Sequence, residues 1–112
     1  MDCLFCKIVS GQIPSNKVYE DEKILAFYDI NPASKVHFLV IPKAHIESAN
    51  EISSENSSAV AHIFEKIPEI ARLAGITNGY RVITNAGEDA CQSVKHLHFH
   101  ILGGEKLPER IV

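Results

Sequence analysis

Apolar residues along this chain recur with two different periods, and the periods predict its elements. In HLHFHIL, His96, His98 and His100 alternate with Leu97, Phe99 and Ile101, which predicts a strand over Lys95–Leu102 with one polar face. Shorter runs predict strands at Lys17–Glu20 and Ile24–Tyr28, joined as a hairpin through Asp21-Glu22. Val36–Ile41 is apolar except for His37 and ends at Pro42, as a central strand covered on both faces would. Tyr80–Asn85 predicts another strand, followed by a polar loop over Ala86–Ser93.

The second period is helical. Val60, Ile63, Phe64, Ile67, Ile70, Ala71 and Ala74 recur at three- and four-residue spacing. They predict a helix over Glu55–Leu73, capped by Ser53 or Ser54, kinked at Pro68 and stopped by Gly75. A shorter helical turn is expected near the N-terminus, where Leu4, Phe5, Ile8 and Val9 precede a bend. The outline is an α+β domain: an antiparallel sheet of about five strands, one long helix and a short N-terminal helix.

Composition narrows the function classes. At 112 residues, 46% of them hydrophobic, a single domain over residues 1–112 can bury its own core. A net charge of −3 gives no general attraction to nucleic acid or to acidic membrane. No apolar run suits a signal peptide or a membrane span. Three cysteines, with Cys3 and Cys6 in a C-x-x-C and Cys91 alone, suit a reducing compartment better than a disulfide framework. The expected location is the cytoplasm.

The three histidines admit two chemistries. They can ligate a metal together, or one imidazole can act as a nucleophile while its neighbours hold anionic oxygens. On a flat strand the outer pair lies about 13 Å apart, so a division of roles fits the spacing better than one shared ion. Gln92, Ser93 and Asn85 add neutral hydrogen-bond donors nearby. Neutral donors without a basic cluster suit a phosphoryl group held by hydrogen bonds.

HLHFHIL, together with CLFCKIVSGQIP, ILAFYDINP, VHFLVIPKAH, YRVITN and GEDACQSVKHLHFHILGG, resembles the histidine triad nucleotide-binding family over nearly the whole chain. The blocks look like the small homodimeric branch of purine-nucleoside phosphoramidases. The resemblance implies that His98 attacks phosphorus, forming a nucleotidyl-histidine intermediate that water resolves to a nucleoside monophosphate. It assigns phosphate contact and leaving-group assistance to His100, leaving-group contact to Ser93, and support to His37. Asn85 and Gln92 match positions around the phosphate, and Asp29 matches the acid that binds the ribose hydroxyls. Leu4, Phe5, Phe27, Ile30 and Leu39 match the walls around the base.

The family likeness also divides the triad. Cys3, Cys6, His45 and His96 match the ligands of one structural zinc ion per chain in zinc-bearing relatives, which frees His98 and His100 for catalysis. Cys91 departs from the pattern, standing where relatives often carry glycine. The alternatives are a dinucleoside polyphosphate (Ap4A-type) hydrolase and a nucleotide-binding regulatory protein. The expected partners are a purine nucleotide and a second copy of the chain.

Overall fold

The computed structural model describes residues 3–111. A short helix α1 (Leu4–Val9) leads to strands β1 (Lys17–Glu20), β2 (Ile24–Tyr28) and β3 (Val36–Pro42). Helix α2 (Ser57–Leu73) follows a 3-10 turn at Ala49–Glu51, and β4 (Tyr80–Ile83) and β5 (Phe99–Gly103) close the chain. The strands form one antiparallel sheet in the order β1-β2-β3-β5-β4, so β3 is the centre, as its apolar run implies.

Alternation along the strands sorts side chains to two faces. Ile24 and Ala26, Phe38 and Val40, and Phe99 and Ile101 point to the α2 side, where they meet Ile63, Ile67, Ile70 and Ala71. Each fully buried aliphatic side chain contributes roughly 1.5–3 kcal/mol, which makes this layer the main source of stability. The other face carries Leu25, Phe27, Leu39 and Ile41, packed with Phe5 and Ile8 of α1. His37 and His100 belong to this second face by the same parity.

Helix α2 runs unbroken through Pro68. Ile63 and Ile67 on one side of the proline and Ile70 and Ala71 on the other are all buried, so packing outweighs the lost backbone bond. Its N-cap is Asn56, whose side chain makes no cap bond, rather than Ser53 or Ser54; the Ser53 hydroxyl instead accepts from Glu55 N in the preceding turn. Its C-terminus is closed by Gly75 N to Arg72 O (3.0 Å) and Ile76 N to Ala71 O (2.9 Å), with Gly75 at φ +87°.

Two strand boundaries differ from expectation by two residues or more. The last strand starts at Phe99, not Lys95, so His96 and His98 precede it and the three histidines do not share one regular strand. The reason is where the backbone bonds go: Leu97 N turns to Ile46 O (2.6 Å) instead of a ladder partner. Correspondingly β4 stops at Ile83, short of the expected Asn85.

Candidate functional site

The early departure of the chain from the sheet separates the histidines into two clusters. In the first, His96 is fully buried and its Nε2–H donates to the carbonyl of Pro42 at 2.8 Å. That bond fixes the tautomer and leaves Nδ1 bare. Nδ1 stands 3.3 Å from Cys3 Sγ and 3.6 Å from Cys6 Sγ, while His45 Nδ1 stands 3.4 Å from Cys6 Sγ. A tetrahedral ion with bonds of about 2.0–2.3 Å sets its ligands about 3.3–3.8 Å apart. The cluster of Cys3, Cys6, His45 and His96 therefore has the spacing and the donor types for one tetrahedral cation.

Local sequence explains how the cysteines come to point there. Cys3 is the N-cap of α1, its Sγ accepting from Cys6 N at 3.2 Å, so the C-x-x-C places both sulfurs at one helix end. Burial, helped by the hydrogen bond and charge of Cys3, pushes the Cys6 thiol up to about 11. A cation beside it would reverse that preference, because a ligating thiol is deprotonated.

In the second cluster, His98 is buried and its Nδ1–H donates to the carbonyl of His96 at 2.7 Å. A carbonyl only accepts, so Nδ1 bears the proton and Nε2 offers a lone pair. His100 has the opposite polarity. Ala33 N donates to His37 Nδ1 (3.0 Å), which puts the His37 proton on Nε2, and this donates to His100 Nδ1 at 2.9 Å. The His100 proton is then on Nε2.

The rings of His98 and His100 lie 5.1 Å apart, so a bare nitrogen and an N–H belong to neighbouring imidazoles. Burial, with His98 and His37 adding to it, pushes His100 down to about 4, and burial also lowers His37, although Asp29 opposes both. Asp29 Oδ2 sits 3.5 Å from His37 Nε2, and its Oδ1 accepts from Asn31 N at 2.8 Å. Asp29, His37 and His100 lie close enough together to share an ion, but both nitrogens of His37 are already engaged.

The remaining expected residues surround these clusters unevenly. Phe5 packs edge-on against His98 (5.1 Å) and Phe27 (5.5 Å), and Leu39 is buried on the same face. Leu4 is exposed, and Ile30 is 91% exposed, at the rim. Asn85 lies half-buried beyond the end of β4. Ser93 lines a cavity of about 590 Å³ with Cys3, Leu4, His45, Glu47, Val94 and Lys95.

Gln92 braces its loop. Its Oε1 accepts from Gly87 N at 3.0 Å, and its Nε2 donates to Glu47 O (2.8 Å) and Val94 O (3.0 Å), which occupies both amide hydrogens. Thr84, whose hydroxyl donates to the carbonyl of His98 at 2.7 Å, escaped sequence reasoning. Nothing in YRVITN marks that hydroxyl. The Ala33 amide and Pro42 carbonyl, being main-chain groups, carry no sequence signal either.

The chain is similar to known proteins over nearly its whole length. The family described as scavenger mRNA decapping enzyme, C-terminal binding, matches residues 2–109. The chain is 42% identical over 102 residues to protein HitA of Neisseria gonorrhoeae, covering 91% of this chain and 95% of that protein. A histidine triad protein from Clostridium difficile superposes with a TM-score of 0.93 at 51% identity, covering 98% of this chain and 96% of that one. A HIT family hydrolase from Clostridium thermocellum gives a TM-score of 0.95 at 45% identity, covering 99% and 97%.

Proposed function

The chain belongs to the histidine triad (HIT) family, and from that premise we propose that it hydrolyses the P–N bond of purine nucleoside 5′-phosphoramidates. The observation that carries the reading is the opposed polarity of two adjacent imidazoles, a bare Nε2 on His98 and an N–H on His100. In the proposed reaction His98 Nε2 forms a bond to the α-phosphorus as the P–N bond breaks. His100 Nε2–H donates to a phosphate oxygen and assists the leaving group, which takes a proton from solvent as it departs as the amine. Water then attacks the nucleotidyl-histidine, releasing nucleoside monophosphate and returning His98 to its neutral state. His37 keeps His100 in the donor tautomer.

Around that centre, Asp29 takes the ribose hydroxyls, while Asn85 and Ser93 donate to the phosphate and the departing group. Gln92 contributes by holding the loop that leads into Ser93. Phe5, Phe27 and Leu39, with Leu4 and Ile30 at the rim, form an apolar slot for a purine. Cys3, Cys6, His45 and His96 hold one zinc ion, which supplies a structural cross-link rather than reaction chemistry.

Turnover of adenosine 5′-phosphoramidate and of Ap4A, measured with the wild type and with His98→Ala, tests the proposal. The phosphoramidate should be the better substrate, and the substitution should reduce its turnover roughly 10³-fold or more. Preference for Ap4A would move the assignment to dinucleoside polyphosphates. Activity that survives His98→Ala would remove the nucleophile.

A further inference from the structure

His98 lies just outside the sheet. The β4–β5 ladder ends at the pair Ile83 and His100, and β5 begins at Phe99, so no residue of β4 is paired with His98. The ring of His98 is held by the carbonyl of His96, itself part of the bend at residues 94–96. On the β4 side one group reaches across: the Thr84 hydroxyl, one residue past the strand end, donates to the His98 carbonyl at 2.7 Å.

We infer that Thr84 is a positioning residue for His98. The direction of the His98 carbonyl fixes the backbone torsion at that residue, and with it the Cα–Cβ vector along which the imidazole is aimed. The hydroxyl thus does at this position what a ladder bond does inside the sheet. Without it the carbonyl, partly buried, must turn toward water, and the ring bond to His96 O is strained at the same time. Among the described residues the Thr84 hydroxyl bonds to the His98 carbonyl and not to Asp29, so its influence runs through His98. The inference rests on His98 being the nucleophile of the reading above.

The test compares Thr84→Val, which exchanges hydroxyl for methyl at nearly constant shape, with Thr84→Ser, which keeps the donor. Thr84→Val should lower kcat for the phosphoramidate about tenfold or more, since small displacements of a reacting atom are costly, while KM stays within about twofold. Thr84→Ser should recover most of the loss. Ring nitrogen NMR at fixed pH should find the Nδ1–H tautomer of His98 in the wild type and a mixture in Thr84→Val. An unchanged kcat and unchanged ring signals in Thr84→Val, or an equal loss in Thr84→Ser, would overturn the inference. If the wild type leaves the phosphoramidate intact, the substrate assignment fails, and the ring signals still decide the role of Thr84. Should Thr84→Val unfold, Thr84→Cys, a weaker donor of similar size, replaces it under the same measurements.

Discussion

At the scale of single residues, the protonation of the site follows from burial. His100 has its pKa pushed down to about 4, chiefly by burial, from an ordinary histidine value near 6.5. A depressed pKa means that the folded state binds the proton less readily than the unfolded chain. Stability is therefore full above about pH 6.5 and falls as the pH drops toward 4, with no further loss from this group below that. The contribution is on the order of 1–2 kcal/mol, the full shift being cut by solvent screening of a half-buried ring. Urea unfolding at pH 7.5 and at pH 4.5 should show a smaller difference for His100→Asn than for the wild type; equal differences would place the acid sensitivity elsewhere.

Cys91 is a second case at this scale. It adopts φ +59°, and Cys91 N to Glu88 O (2.9 Å) with Gln92 N to Gly87 O (3.1 Å) repeats the bonding that ends α2, where Gly75 occupies the equivalent place. A side chain in that conformation costs roughly 1 kcal/mol, so Cys91→Gly should raise stability by up to about 1 kcal/mol in denaturant melts, less the entropy glycine gains when unfolded. A lower midpoint would mean that the cysteine side chain contributes packing that outweighs its strain.

At the scale of elements, α1 is the informative one. Six residues are too few for a helix to persist unaided in water. It is held by the burial of Phe5 and Ile8 and by the two sulfurs at its start, and through Phe5 it touches His98. Replacing Cys3 and Cys6 together by alanine should remove the proposed zinc site and accelerate amide exchange in α1 and at Leu97, leaving α2 protected. Protection of α1 equal to the wild type would show that apolar packing alone docks it.

Sequence legibility divides along the same line. The period-two and helical patterns located the strands and α2 because burial acts on every second or every third-to-fourth residue. The start of β5 was not legible, since alternation continues through His96 and Leu97 while the backbone bonds leave the sheet for Ile46. The tautomers of His98 and His100 were hidden for a related reason: the groups that set them, the His96 carbonyl and the Ala33 amide, exist at every position of any chain.

At the scale of the whole molecule, the sheet is finished on one face and open at its rim. β4 lies at an edge of the sheet, and Phe64, Leu73 and Tyr80 on α2 and β4 are 48%, 60% and 38% exposed. Phe64 packs on Phe99, whose neighbour His98 is the proposed nucleophile, so apolar surface here adjoins the strand that carries the site. Among the described residues no helix is long and apolar enough to cross a membrane. Unpaired strand edges and exposed apolar side chains favour pairing with another chain. A second copy is the partner we propose, because a two-fold contact lets one patch cover itself. Two chains of 12.4 kDa should elute together near about 25 kDa in sizing chromatography. Phe64→Glu should shift the protein toward about 12 kDa, since a carboxylate buried against its own image is unpaired. Elution of the wild type at the monomer position would remove the dimer, and with it any need for α2 to serve more than its own sheet.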